Sequence, residues 1–385
     1  MQRIRHCQRV NALDPISLTE ELVAFDTISC NTNRAMCDRI VSLLEPLGGV
    51  VRLQAQADAP EQVNLIARFG PEGAGGLALA GHTDTVPFDD SMRATNVPSR
   101  EGAKLYGRGT CDMKGAIAAM LDATARIEHS RLKKPLWLLF TFQEEIGCLG
   151  AKHLVRAAPV PVEHCIIGEP TGLRPVTRHK GYVTAILKFH GRPCHSSDPD
   201  AGASAIHAAS RAVDALVSLG EQWKAASAGQ GSDLLPPWTT LNVGLFQGGA
   251  ARNVVPEHAQ LSLEIRPMPG LDSKQLLGEA EAVAREAAKS VRGVTLEFHV
   301  DDVDTPLDTP EDAEIVRWLI EATGNAASTV PFYTEGPTFQ AMGASPCVCG
   351  PGEIAQAHRV DEWVELDALM AASDLYRDAI SEFCT

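Results

Sequence analysis

Acidic and imidazole side chains follow four short apolar segments of the sequence. They are His82 and Asp84 after the first segment, Glu144 and Glu145 after the second, Glu169 after the third and His358 after the fourth. We expect Asp112, just before a predicted helix, to join them. So many carboxylates can share one cleft only with compensating positive charge. Mixed imidazole and carboxylate ligation favours zinc or a neighbouring first-row metal over calcium or magnesium.

The number of these side chains matches a site for two metal ions. Two ions with about two terminal ligands each and one bridging carboxylate would use five residues. Asp84 would then orient a ligand imidazole, and one glutamate would remain as a general base for water. Taken singly, a His-x-Asp pair is usually a turn and a Glu-Glu pair a solvated face. The prediction therefore depends on all four pieces following apolar strands.

The surrounding elements predict an α/β fold with a mostly parallel sheet sandwiched by helices. Apolar strands alternate with helical segments, and such sheets bind ligands beyond the carboxyl ends of their strands. The middle of the chain differs, because its order of elements is βαββαβ, a ferredoxin-like unit. We therefore expect a catalytic domain of residues 1–181 and 301–385, with residues 182–300 inserted into it.

Composition excludes several classes of function. The 385 residues contain 34 Lys and Arg against 49 Asp and Glu, and the resulting charge of −15 opposes binding to nucleic acid or anionic membranes. No apolar run approaches the ~20 residues of a membrane span. No apolar segment follows the basic residues at 1–10, so a cytoplasmic location without a secretory signal is expected. An NAD-dependent oxidoreductase is disfavoured because no G-x-G-x-x-G follows an early strand.

The motifs resemble those of the co-catalytic zinc aminoacylase and deacetylase family. The resemblance is carried by Gly81–Pro87, Tyr106–Gly115, Glu144-Glu145, Gly168–Thr171 and His358. It implies metal-dependent hydrolysis of the amide bond of an N-acyl-L-amino acid, with two zinc ions for which cobalt could substitute. The strongest similarity is to members that convert N-acetyl-L-ornithine to L-ornithine and acetate in arginine biosynthesis.

The resemblance also implies a role for each residue of the metal site. Asp112 would bridge the two ions. His82 and Glu169 would bind one ion. Glu145 and His358 would bind the other. Glu144 would be the general base, and Asp84 would orient His82.

The inserted domain contributes weaker candidates. The resemblance implies that His195 helps to stabilise the oxyanion and that Arg266 and Asn253 hold the substrate. It also implies a homodimer formed through this domain. From spacing alone, His195 would more often be a structural residue and Arg266 the partner of a nearby acid.

Three alternatives remain open at this stage. A metallo-dipeptidase or carboxypeptidase would use the same metal site, and so would a deacylase of another N-acyl-amino acid. A noncatalytic binding protein on the same fold is disfavoured because Glu144 and every expected ligand are present.

Overall fold

The computed structural model describes residues 13–57, 59–228 and 232–385, so the amino-terminal segment discussed above lies outside the described residues. The chain divides into two compact units. Unit 1 takes in the described residues up to Thr177 together with Thr309–Ser328 and Thr334–Thr385, and unit 2 consists of Arg178–Asp308 with Thr329–Tyr333. Unit 2 extends beyond the predicted inserted range, 182–300, at both ends. Residues 178–179 and 307–308, which flank that range, pair as neighbouring antiparallel strands.

Helices and strands alternate through most of the chain. The strands are β1 (Val50–Gln56), β2 (Ala59–Phe69), β3 (Leu77–His82), β4 (Ser99–Glu101), β5 (Lys104–Tyr106), β6 (Leu136–Thr141), β7 (His164–Pro170), β8 (Val176–His179), β9 (Tyr182–His190), β10 (Thr240–Gly248), β11 (His258–Arg266), β12 (Thr295–Asp304), β13 (Leu307–Asp308), β14 (Ser328–Val330), β15 (Ser345–Gly350) and β16 (Trp363–Glu365). The α-helices are α1 (Pro15–Val23), α2 (Arg34–Leu44), α3 (Lys114–Ala125), α4 (Leu149–Ala157), α5 (Ala205–Ala226), α6 (Ser273–Lys289), α7 (Glu314–Thr323), α8 (Gly336–Ala341) and α9 (Leu366–Cys384). Short 3-10 turns lie at Glu45–Leu47, His129–Arg131, Pro199–Ala201 and Ile354–Gln356.

The main sheet of unit 1 has the strand order β1-β2-β6-β3-β7-β15-β8. Its central strands β6, β3, β7 and β15 pair in parallel with one another. The contacts β1–β2, β2–β6 and β15–β8 are antiparallel. The predicted α/β fold is confirmed, with parallel pairing at the centre and antiparallel pairing toward the edges.

The central strands of this sheet consist mostly of apolar residues, which explains why helices cover both of its faces. Every residue of β3 and β7 is buried, as expected for parallel strands between two layers of helices. Every residue of the Ala-rich helix α3 is buried as well, and α3 packs against α1 and α9. Asp14 caps α1, since its carboxylate accepts a hydrogen bond from the Ser17 backbone N–H at 3.0 Å.

Unit 2 has the predicted βαββαβ order, running β9–α5–β10–β11–α6–β12. Its antiparallel sheet has the strand order β10-β11-β9-β12. Strand β9 alternates between buried and partly buried residues, and its buried side chains pack with the Ala-rich faces of α5 and α6. The ferredoxin-like prediction is therefore confirmed.

A small sheet in unit 1 joins two distant parts of the sequence. It has the strand order β16-β5-β4, and Trp363 pairs with Tyr106. This pairing brings the segment after His358 beside the loop that leads to Asp112. Among the described residues, no helix combines the length and apolar character needed to cross a membrane.

Candidate metal centre

The predicted metal ligands of unit 1 gather at one edge of the main sheet. His82 is the last residue of β3, and Glu169 lies near the end of β7. Glu144 and Glu145 follow β6, and His358 follows β15. Because β6, β3, β7 and β15 run parallel in adjacent positions, their carboxyl ends bring these side chains together.

Asp112 lies at the centre of this cluster, between two imidazoles. Its Oδ1 is 3.0 Å from His82 Nε2, and its Oδ2 is 3.2 Å from His358 Nε2. A carboxylate whose two oxygens face different ligand rings has the arrangement expected of a bridge between two metal ions.

Each imidazole also faces a second carboxylate. His82 Nε2 is 3.6 Å from Glu169 Oε1, and His358 Nε2 is 3.0 Å from Glu145 Oε1. The structure thus brings together the two ligand pairs that the resemblance implies. Ligand atoms of His82, Glu144 and Glu169 also lie within 4.8 Å of one another. A carboxylate oxygen of Glu144 therefore lies beside the ligand atoms of His82 and Glu169.

Asp84 holds the turn that carries both glutamates. Its Oδ1 accepts a hydrogen bond from the Glu144 backbone N–H at 3.0 Å, and its Oδ2 accepts one from the Glu145 N–H at 3.3 Å. Ser29, which the sequence analysis does not identify, donates its hydroxyl to the same Oδ2 at 2.6 Å. Asp84 therefore positions the glutamates in addition to lying near His82.

The backbone of Asp84 contacts His82 more closely than its side chain does. His82 Nδ1 is 3.0 Å from the Asp84 carbonyl oxygen and 3.5 Å from Asp84 Oδ1. With Nδ1–H donating to that carbonyl, Nε2 is left as the ring atom that can bind a metal.

The imidazoles and Asp112 stabilise each other's charged forms. Burial alone would lower the pKa of His82, but the charge of Glu169 and the hydrogen bonds with Asp112 and Asp84 raise it well above its ordinary value. Burial would raise the pKa of Asp112, but hydrogen bonds with His358 and His82 bring it below its usual range. Hydrogen bonds with Asp112 and Glu145 raise the pKa of His358 to about 10.

The pKa values of the three glutamates are shifted in the opposite direction to that of Asp112. Burial and neighbouring negative charge raise the pKa of Glu144, Glu145 and Glu169 above their ordinary values. The cluster holds more carboxylates than its two imidazoles can neutralise. This donor set, with both oxygen and nitrogen ligands, fits a pair of divalent first-row metal ions.

A second group of possible ligand atoms lies elsewhere in unit 1. Glu163, His164 and Glu314 have such atoms within 4.8 Å of one another, at the amino end of β7. Both glutamates are exposed, and Glu163 lies 3.4 Å from the Lys134 ammonium group. This group is smaller and far less buried than the cluster around Asp112.

The predicted site residues of the inserted domain lie in unit 2. His195 is exposed, and its Nδ1 is 2.7 Å from the Ser197 hydroxyl. The carbonyl of Asn253 accepts a hydrogen bond from the Ser196 N–H at 3.0 Å, so this loop lies beside His195. Arg266 Nε donates to Glu264 Oε1 at 2.9 Å, and its guanidinium stacks 4.5 Å from the Tyr182 ring centre. The catalytic and substrate-binding roles of these residues stay predictions.

Sequence reasoning misses the side chains that support the predicted ligands. Ser29 comes from a loop far from Asp84 in sequence and carries no motif. Glu362 lies four residues after His358, and its carboxylate accepts hydrogen bonds from the loop that contains Asp112. The only signal in the sequence is that Glu362 shares a short segment with a predicted ligand.

Known proteins are similar to this chain over most of its length. A family model described as Peptidase family M20/M25/M40 matches residues 78–382. Acetylornithine deacetylase from Myxococcus xanthus is 39% identical over 372 residues, which cover 94% of this chain and 96% of that protein. The crystal structure of aminopeptidase PepT from Bacillus cereus has a TM-score of 0.77 at 20% identity and covers 97% of this chain and 98% of that chain. The Bacillus subtilis YXEP protein, described as a dinuclear metal-binding peptidase from the M20 family, has a TM-score of 0.68 at 14% identity and covers 96% of this chain and 97% of that chain.

These similarities test two of the sequence predictions, the fold and the class of enzyme. At 20% identity or less, the solved structures confirm the fold alone. The family match and the bacterial relative span most of the chain, and they confirm the predicted class, a metal-dependent amide hydrolase. The chain belongs to peptidase family M20/M25/M40.

Proposed function

We propose that this chain hydrolyses the amide bond of N-acetyl-L-ornithine and releases L-ornithine and acetate. The observation that carries the proposal is the position of Asp112, whose two oxygens face His82 and His358 within 3.2 Å. The substrate is supported by the 39% identity to the Myxococcus xanthus acetylornithine deacetylase. The reaction would serve arginine biosynthesis in the cytoplasm.

The metal ions we propose are two zinc ions, for which cobalt could substitute. His82 and Glu169 would hold one ion, Glu145 and His358 would hold the other, and Asp112 would bridge them. When bound, the ions supply the positive charge that makes water a nucleophile at neutral pH and polarises the acyl carbonyl. The mixed imidazole and carboxylate donors support zinc and cobalt over calcium and magnesium.

Glu144 would move the protons of the reaction. Its carboxylate takes a proton from the attacking water as the water oxygen bonds to the acyl carbon. It then returns this proton to the amine nitrogen as the carbon–nitrogen bond breaks. The hydrogen bond from the Glu144 N–H to Asp84 supports this role, since it fixes the backbone from which the base extends.

Unit 2 would contribute contacts to the substrate and to a second subunit. His195 would stabilise the oxyanion, and Arg266 and Asn253 would hold the carboxylate and polar groups of the substrate. We also propose a homodimer formed through unit 2. Exposed apolar side chains on the edge strands β10 and β12 support such a contact, with Leu245 60% and Val300 49% exposed.

A substrate panel tests the proposed reaction. The purified protein, loaded with zinc or cobalt, would be assayed for amine release from N-acetyl-L-ornithine, other N-acetyl-amino acids, dipeptides and tripeptides. We expect kcat/KM for N-acetyl-L-ornithine to exceed the others by about tenfold or more. A dipeptide or tripeptide as the best substrate would contradict the proposal and establish a peptidase. Glu144→Gln serves as the control for contaminating activity.

A further inference from the structure

The Glu362 carboxylate makes an unusual concentration of hydrogen bonds to the loop before α3. It is completely buried, and its Oε1 accepts hydrogen bonds from the backbone N–H groups of Gly109, Cys111 and Asp112 at 3.0, 3.0 and 3.1 Å. A single oxygen therefore satisfies three donors that would otherwise be buried without partners. One of the three donors belongs to Asp112 itself.

The other oxygen of Glu362 is held by a buried arginine. Arg108 Nη1 donates to Glu362 Oε2 at 2.5 Å, and Arg108 is only 3% exposed. Arg108 Nη2 donates to the Arg359 carbonyl at 3.1 Å, which ties the same guanidinium to the residue after His358. A buried carboxylate is tolerated when a cation and several hydrogen bonds compensate it, and Glu362 has both.

Strand pairing explains how residues 250 positions apart meet here. β16 begins at Trp363, which pairs with Tyr106 at the end of β5. Glu362 and Gly107 continue this register by one step, and the Gly107 N–H donates to the Glu362 carbonyl at 3.2 Å. The chain then turns through Gly109 into Asp112. The register of the small sheet therefore determines which residues of the loop the Glu362 side chain contacts.

We propose that Glu362 is a positioning residue for the metal centre, holding the backbone of Asp112 so that each carboxylate oxygen faces one metal site. Segment 358–362 would then have two roles, because it supplies the ligand His358 at one end and orients the bridging ligand at the other. The inference rests on the proposed bridging role of Asp112. It concerns metal binding and geometry, because the hydrogen bonds of the Glu362 carboxylate go to Arg108 and to the backbone of the Asp112 loop.

Substitution of Glu362 by glutamine gives the sharpest test. Glu362→Gln keeps the size and one acceptor oxygen, but it removes the charge and sets an amide group against Arg108. Glu365→Gln is the matched control, since it makes the same chemical change at an exposed position three residues along the chain. Each protein would be characterised by its zinc affinity in competition with a chelator, by the visible spectrum of its cobalt form and by its thermal midpoint without metal.

We expect Glu362→Gln to bind zinc about 10- to 100-fold more weakly, as for other groups that orient metal ligands. Its cobalt spectrum should change in intensity, because the spectrum reports ligand geometry. Glu365→Gln should match the unsubstituted protein in both measurements. Unchanged zinc affinity and cobalt spectrum in Glu362→Gln would overturn the inference, even with a lower thermal midpoint, because Glu362 would then serve stability alone.

Two further variants keep the test decisive. If Glu362→Gln does not fold, Glu362→Asp keeps the charge and withdraws the carboxylate by one methylene. We expect it to weaken zinc binding by about tenfold, and wild-type affinity in this variant would overturn the inference. Asp112→Asn separates the two levels of the proposal. If it retains full affinity, the proposed bridge and the inference both fail; if it loses affinity while the Glu362 variants do not, only the inference fails.

Discussion

Each unit of the molecule buries an imidazole almost completely, and the pKa values of the two rings are shifted in opposite directions. His82 in unit 1 is 1% exposed, and its carboxylate neighbours raise its pKa well above the ordinary value. His179 in unit 2 is fully buried, and burial, reinforced by the charge of Arg266, lowers its pKa to about 4. Burial is common to both rings, so the surrounding charge decides the difference. In this chain the buried carboxylates around His82, and not its burial, mark the candidate metal site.

The largest expected effect lies in the carboxylate-rich environment of unit 1. Glu144→Ala should lower kcat by about 10³-fold, because it removes the proposed general base. Metal content should remain that of the unsubstituted protein if Glu144 is a base and not a ligand. The measurements are steady-state kinetics on N-acetyl-L-ornithine and elemental analysis. Loss of metal from this variant would make Glu144 a ligand, and unchanged turnover would exclude both roles.

A smaller effect is expected from the proposed catalytic histidine of unit 2. His195→Ala should lower kcat by about 10²-fold, because it removes one hydrogen-bond donor to the oxyanion. Zinc affinity should not change, in contrast to variants of the unit 1 histidines. His207→Ala is the control, as another exposed histidine of unit 2. A His195→Ala enzyme with full kcat would leave unit 2 without its proposed catalytic histidine.

The smallest effect concerns stability and comes from the second buried imidazole. The folded-state pKa of His179, about 4, lies below the ordinary histidine value, so between these values only the unfolded chain binds the proton. Its contribution to stability is therefore retained at neutral pH and lost as the pH falls. The free energy of unfolding of wild type relative to His179→Gln should decrease by about 2 kcal/mol from pH 7 to pH 5. Equal pH dependence of the two proteins in denaturant titrations would contradict this environment for His179.

The positions of the proposed ligands of unit 1 are predictable from sequence because parallel strands share one carboxyl edge. His82 and Glu169 end buried apolar strands, so topology alone brings them together. Asp112 is less constrained by pattern, since it comes from a loop whose position depends on the pairing of β16 with β5. Each of those strands is three residues long, which is too short for a strand pattern to be recognised in its sequence.

Supporting contacts are harder to predict for a different reason. Ser29 and Glu362 act on the site through hydrogen bonds to Asp84 and to the Asp112 loop, and neither follows the carboxyl end of a strand of the main sheet. In unit 2, by contrast, the ion pair of Arg266 follows from simple strand geometry. Glu264 lies two residues earlier on β11, and residues two apart share a face of a strand.

Metal content of Asp112→Asn tests the central claim most directly. The account predicts that wild-type protein equilibrated with zinc and then freed of excess metal retains about two ions per chain. Asp112→Asn, treated identically and verified as folded by circular dichroism, should retain fewer than one, because both ions lose the ligand they share. Retention of two ions by Asp112→Asn would contradict the bridge on which the proposed chemistry depends.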